Sequence, residues 1–268
     1  MSKCNIHLGC NCNNRVIYSQ DGDLKFKRCN DCGIIWRSSD SMIMTKPYDQ
    51  SYFDSKKYEK RREHKVKKSG WLLDIALKLN PNISKVLEVG CSIGYTLEAA
   101  KRRNLDHLGI DISEYAVEFC KNRGLKAELY SFDDLKEQGE LYDLLYMQHV
   151  LEHFEDPFET LKKCNELLNP NGTIVILVPN SSYRPAHKKR ENHRFYSKNG
   201  VGTEHYAYFN YINLPKVLEA SGFEVIQKNY PLFLNGLFPV EFFLNRIFRR
   251  LLTVFNQDQE LVIIAKKR

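Results

Sequence analysis

Lys85-Val-Leu-Glu-Val-Gly-Cys-Ser-Ile-Gly94 is a short apolar run that ends in an acid and a turn holding two glycines. Lys85 to Val89 reads as a buried strand, and Gly90 to Gly94 as the turn that feeds the next helix. Gly90 permits a sharp reversal, and Gly94 lets a ligand or the helix start come close. Outward from this point the chain alternates. Tyr95 to Arg103 is helical, His107 to Asp111 a strand, Glu114 to Asn122 helical, Ala127 to Tyr130 a weak strand and Tyr142 to Met147 another strand. Asp156-Pro-Phe-Glu159 opens a helix with an N-cap, a first-turn proline and an N3 glutamate, and that helix runs to Leu168. Asn169-Pro-Asn-Gly172 then turns into the strand Thr173 to Val178. Strands alternating with helices predict an α/β fold, a mostly parallel sheet covered on both faces.

Composition agrees with one such domain plus an appendage. The chain has 268 residues, 43% of them hydrophobic and 27% charged, with 40 Lys and Arg against 33 acids, a net charge of +7. That is neither disordered nor fibrous. The opening MSKCNIHLGC has no apolar signal core, and the stretch Pro231 to Leu244 is broken by Asn235, Gly236 and Glu241. A cytoplasmic protein without a membrane-spanning helix is expected.

Several chemistries use a strand, a glycine-rich turn and a helix. A dinucleotide site needs G-x-G-x-x-G, but Ser92 stands at the middle glycine and Tyr95-Thr96 follow where the third belongs. Gly90-Cys-Ser-Ile-Gly94 also fits the G-x-S-x-G elbow of serine hydrolases, although the strand opens the series and no HGGG-type segment is present. A third reading takes in more of the chain. Leu87 to Gly94, Leu108-Gly-Ile-Asp-Ile-Ser113, Tyr142 to Pro157 and Gly172 to Asn180 resemble, in order, four motifs of the class I S-adenosylmethionine (SAM)-dependent methyltransferase superfamily. The likeness resumes more faintly at Glu204 to Phe209, Leu218 to Phe223 and Leu261 to Lys266. Ser92 departs from the family's glycine, but a small residue still permits backbone approach.

This resemblance implies a Rossmann-like, doubly wound sheet of seven strands ending in an antiparallel strand over Leu261 to Lys266. It implies SAM as cofactor. Glu88, Gly90, Cys91, Ser92 and Gly94 would line the methionine end, Asp111 the ribose hydroxyls, and Ile112 one face of the adenine. Ser131 and Phe132 would hold the adenine edge, and Gln148 would face the reacting methyl. The implied activity is methyl transfer, most simply to oxygen of a small-molecule or sugar- or lipid-linked acceptor. His149, His153, His193 and His205 are candidate bases for such an acceptor, with His205 preferred and His149 next. An RNA-directed methyltransferase is the alternative, and the serine hydrolase a remoter one.

Two further regions carry chemistry of their own. Cysteines cluster at the start of the chain, and Cys29-Asn-Asp-Cys-Gly33 has the spacing of a zinc knuckle. Paired with Cys10 and Cys12, Cys29 and Cys32 would close a structural zinc ribbon over residues 1–45; Cys4 and His7 are alternative upstream ligands. The methyltransferase domain would then occupy residues 46–268. Between Lys56 and Lys68 lies a basic run, in which Glu59 and Glu63 can pair with neighbours such as Lys60 and Lys67. A solvated helix face is its plain meaning, RNA binding the sharper one. The aromatic-rich stretch at about 231–255 reads as a helical lid over a hydrophobic acceptor pocket, or else as a peripheral membrane or dimer contact.

Overall fold

A computed structural model describes residues 15–21, 24–29, 33–37, 55–131, 134–135, 139–182, 205–228 and 260–268. The proposed lid at about 231–255, Phe132, His193, Cys4, His7, Cys10, Cys12 and Cys32 lie outside these described residues.

Strand β4 (Lys85–Val89) is central in a seven-stranded sheet, and the helices that follow each parallel strand cover its two faces. In chain order come α2 (Tyr95–Lys101), β5 (Asp106–Asp111), α3 (Glu114–Asn122), β6 (Ala127–Leu129), β7 (Tyr142–Gln148), α4 (Pro157–Glu166) and β8 (Leu168–Pro179). After α5 (Asn213–Ala220) the chain ends in β10 (Phe223–Lys228) and β11 (Glu260–Lys267). The strand order is β10-β11-β8-β7-β4-β5-β6. Strands β8, β7, β4, β5 and β6 run parallel, and β11 is antiparallel to both of its neighbours. The α/β reading with a closing antiparallel strand therefore holds.

Side chains on the central strands alternate between two dry layers, as a sheet buried on both sides requires. Leu87, Leu145, Ile176 and Ile263 pack on one face with Phe158 and Leu161 of α4 and Leu214 and Val217 of α5. Val86, Leu144, Val175 and Val262 face the other way, against Ala99 and Ala100 of α2 and Leu72, Leu73 and Ala76 of α1 (Ser55–Leu79). Each large side chain buried this way contributes about 1.5–3 kcal/mol. Helix starts are capped where the sequence places the signals. Ser113 accepts from the Ala116 amide ahead of α3, and Asp156 accepts from the Glu159 amide ahead of α4, with Pro157 at N1.

Two details differ from the sequence reading. The turn at Asn169–Gly172 is absorbed into β8 as a large bulge: the register against β7 jumps from Leu168 to Thr173, with Asn171 at φ +64°. Glu59 and Glu63 of α1 reach beyond the helix to Arg123 and Arg102, Glu59 also facing its helix neighbour Arg62 at 3.5 Å, while Arg62 grips Glu98 with two hydrogen bonds of 2.8 Å. Helix α1 is thus pinned to α2 and to the end of α3 by its acids and by one of its arginines.

The amino-terminal strands β1 (Arg15–Asp21), β2 (Leu24–Cys29) and β3 (Ile35–Arg37) form an antiparallel sheet with β9 (Ala207–Tyr208), a strand from far downstream. Gly33, at φ +73°, donates its amide to the Cys29 carbonyl at 2.9 Å, and the Cys29 side chain is buried. No helix among the described residues is long and apolar enough to cross a membrane.

Candidate active site

The carboxyl ends of β4, β5 and β7 meet where chain connections leave β4 and β7 in opposite directions, the place where open α/β sheets hold ligands. Three backbone conformations build the loop after β4. Gly90, Ser92 and Gly94 stand at φ +69°, +50° and +80°. The amides of Gly90 and Cys91 both donate to the Ile110 carbonyl, at 2.8 and 3.0 Å, and Gly94 donates to Cys91 at 2.9 Å. A Cβ on Gly90 would lie 2.5 Å from Val150 Cγ2, so the loop is pressed against the segment that follows β7. Cys91 is buried below the loop, and the Cys120 thiol donates to the Ser92 carbonyl at 3.3 Å.

Asp111 closes β5 in front of this loop. Its Oδ2 accepts the Ser92 amide at 2.8 Å and its Oδ1 the Ser113 amide at 2.9 Å. Burial pushes its pKa up, while the amide hydrogen bonds act in the opposite sense. Each oxygen keeps a second lone pair, which suits a vicinal diol. Next to it Ile112, at 68% the most exposed large apolar residue among those described, presents a surface on which a flat ring can lie. Ser131 is exposed and donates from both its amide and its hydroxyl to Asp134 Oδ2, at 2.7 Å each, so it caps a turn.

Glu88 lies under the loop, 4% exposed, and its Oε2 has no hydrogen-bond partner among the described residues. Burial pushes its pKa well up, opposed by hydrogen bonds from Thr96 and the Leu97 backbone. An acceptor left unspent here fits the amino group of a bound amino acid. Gln148, at the end of β7, accepts from the Tyr146 hydroxyl at 3.3 Å.

The histidines divide sharply. His149, at φ +55°, holds Glu260 of β11 through Nε2 at 2.9 Å and faces Glu152 through Nδ1 at 3.5 Å. Burial lowers its pKa, but those two carboxylates outweigh it and raise it to about 9. At neutral pH His149 is an imidazolium, with no lone pair for a proton. His205 is the reverse: burial lowers its pKa to about 4, with Glu152 the opposing influence. It stays neutral and can accept a proton. His153 packs edge-on to His205, ring centroids 4.7 Å apart.

Glu152, Glu260 and Lys68 escape the sequence reading. Glu152 had a weak local signal, an acid between Leu151 and His153 in an apolar stretch. Glu260 and Lys68 had none, since their partners are set by the fold. For the hydrolase elbow, no imidazole pairs with Ser92 among the described residues, and its amide is committed to Asp111.

Comparison with known proteins agrees with this geometry. A family model described as a methyltransferase domain matches residues 58–228. The ubiquinone biosynthesis O-methyltransferase of Coxiella burnetii is 28% identical over 105 residues, covering 37% of this chain and 45% of that protein. Its counterpart in Methylococcus capsulatus is 33% identical over 108 residues, with coverage of 37% and 45%. The match thus spans under half the length of these relatives. Among solved structures, a SAM-dependent methyltransferase from Thermotoga maritima superposes with a TM-score of 0.54 at 16% identity, over 80% of this chain and 94% of that one. One from Clostridium acetobutylicum gives 0.54 at 10% identity, over 80% and 97%. These two likenesses carry the fold. With the family model matched across residues 58–228 and the strand order in place, the chain belongs to the methyltransferase-domain family, within the class I SAM-dependent methyltransferases.

Proposed function

We propose that this chain transfers a methyl group from SAM to an oxygen of a small-molecule or sugar- or lipid-linked acceptor. The observation that carries the reading is the pairing of Asp111 with the loop at Gly90–Gly94: a carboxylate fixed by two amides, beside an exposed Ile112 and above an unspent Glu88 oxygen. Glu88, Gly90, Cys91, Ser92, Gly94 and Gln148 would hold the amino acid end of SAM, and Asp111 its ribose. Ile112, Ser131 and Phe132 would hold its adenine. When bound, SAM supplies a sulfonium-linked methyl that is already a good electrophile. The protein's task is therefore alignment and exclusion of water. His205, neutral and shielded, offers a lone pair to a hydroxyl proton, and the low pKa that keeps it neutral makes it a weak base that depends on alignment. His149 serves as a fixed positive charge that ties β7 to β11.

The names of the ubiquinone-pathway relatives support oxygen as the methylated atom. The zinc ribbon over residues 1–45, with Cys10, Cys12, Cys29 and Cys32 as ligands, and the lid at about 231–255 complete the proposal. Elemental analysis of the intact protein tests the ribbon. The RNA-directed alternative draws less support, because Arg62 of the basic run is paired with Glu98.

Calorimetric titration with S-adenosylhomocysteine tests the central reading. Charge-assisted hydrogen bonds contribute about 1.5–3 kcal/mol, so Asp111→Ala is expected to weaken binding about 10- to 100-fold with the circular dichroism spectrum unchanged. Folded wild-type protein that binds neither SAM nor its product would remove the proposal.

A further inference from the structure

Glu152 is 1% exposed, yet neither carboxylate oxygen has a hydrogen-bond partner among the described residues. The His149 imidazolium faces it through Nδ1 at 3.5 Å and His205 Nε2 stands at 3.8 Å, a long ion pair and a looser contact that leave both oxygens without a close hydrogen bond. A buried carboxylate in that condition is costly unless something else satisfies it. Three elements converge on it. The short 3₁₀ turn Leu151–His153 after β7 supplies Glu152 and His153. The segment entering β9 supplies His205, and it is anchored twice: the Tyr206 amide donates to the Glu152 carbonyl at 2.7 Å, and the Arg37 amide of β3 donates to the Tyr206 carbonyl at 2.9 Å. The small amino-terminal sheet thereby fixes where His205 stands.

We propose that Glu152, His153 and His205 form a binding site for a divalent transition-metal ion, with two imidazoles and one carboxylate as ligands. One donor atom from each residue lies within 4.8 Å of the other two. Metal–ligand bonds of about 2.0–2.2 Å set donor atoms about 3.3 Å apart, so the three donors would draw together by up to about 1.5 Å on binding an ion. His149, whose Nε2 is held by Glu260, turns Nδ1 toward Glu152 at 3.5 Å but stands outside the set of donors that all lie within 4.8 Å of one another. A two-nitrogen, one-oxygen set suits zinc, cobalt, manganese or ferrous iron and is poorly matched to calcium or magnesium, which take oxygen. Three protein ligands leave coordination positions open, unlike a closed structural site.

The open positions face a specific use, and this part rests on the methyl-transfer reading. Val150, two residues before Glu152, is the side chain pressed against Gly90 of the cofactor loop. An acceptor hydroxyl bound to the ion beside that loop would lose its proton to solvent more readily, as metal-bound water does, and its oxygen would then take the methyl as S-adenosylhomocysteine leaves. His205 would then act as a ligand in the metal-loaded protein rather than as a base.

Cobalt(II) provides the test, in full-length protein stripped with chelator and dialysed. Nitrogen and oxygen ligation gives visible d–d bands without thiolate charge transfer, whereas the amino-terminal cysteines would give intense near-ultraviolet charge transfer together with d–d bands of their own, so the bands of this site are followed in Cys29→Ser protein, alone and combined with each histidine variant. The two sites are thus read separately. We expect one equivalent with d–d bands and no thiolate band at this site. His153→Ala and His205→Ala should each weaken it by more than about 100-fold, since even residues behind the ligands are worth 10- to 100-fold. Cys29→Ser alone should retain these bands. Thermal melts screen the variants for folding, and His153→Gln replaces any that fails. Cobalt bound only through thiolate, or bands that survive in folded variants, would overturn the proposal. Titration of the same samples with S-adenosylhomocysteine keeps the outcomes apart, because cofactor binding without metal binding sinks this site alone.

Discussion

Glu260→Ala is expected to lower the stability of the protein by about 3–5 kcal/mol, the usual cost of removing one partner from a buried charge pair. For a domain of this size that corresponds to a fall in Tm of about 6–20 °C. Glu260 begins β11 and binds two cations at once, Lys68 of α1 at 2.7 Å and His149 at 2.9 Å. The Lys68 side chain is only 4% exposed, so alanine at 260 removes a carboxylate that water cannot readily replace. The pH dependence follows from the same contacts. Burial raises the Glu260 pKa, but His149 and Lys68 lower it more, from the ordinary 4.5 to about 2. A carboxylate depressed in the folded state contributes stability that is fully present above pH 4.5 and is lost as pH falls toward 2. Urea denaturation of both proteins across that window should show the gap narrowing as pH falls. A gap that stays constant, or a loss below about 1 kcal/mol near neutral pH, would mean that Lys68 finds another partner.

The same triad marks the limit of what the sequence makes legible. The parallel sheet is readable because each strand is a local apolar run and each crossover is bounded by its own glycine, cap or proline. Gly90 and Gly94 both take positive φ, Asp111 sits where a strand-ending acid should, and Asp156 caps the helix that its signature announces. Lys68 and Glu260 lie 192 residues apart, and His149 and Glu260 lie 111 apart. Neither separation has any periodicity to detect. The same holds for β9, whose short pairing with β3 depends on the rest of the fold bringing the two together. Glu152 shows the problem from the other side. In sequence it is one acid beside a histidine, and its importance appears only with its burial and with His205 in place beside it.

Gly94→Ala tests whether the loop after β4 tolerates any side chain at its second glycine. The backbone there is left-handed, φ +80° and ψ +32°, which costs a residue with a Cβ about 1–2 kcal/mol. Space is the second obstacle. A Cβ at this position would lie 2.7 Å from Leu125 Cδ1 and 2.8 Å from Cys120 Sγ, both on buried side chains. Overpacking of a filled core adds about 1–3 kcal/mol, for a total of about 2–5 kcal/mol. Gly139→Ala separates the two contributions. Gly139 also has positive φ, +65°, but no atom of the described residues lies within 4 Å of its added Cβ, so the backbone cost dominates. Chemical denaturation of the pair should therefore place Gly94→Ala well below Gly139→Ala, and the difference measures chiefly the packing. Equal losses would mean that Leu125 and Cys120 move aside. In that event the Cys120 thiol, which donates to the Ser92 carbonyl, shifts with them, and the loop loses the contact that holds Ser92 toward Asp111. Affinity for S-adenosylhomocysteine should then fall even where stability does not, so the two measurements together locate the strain in the core or in the site.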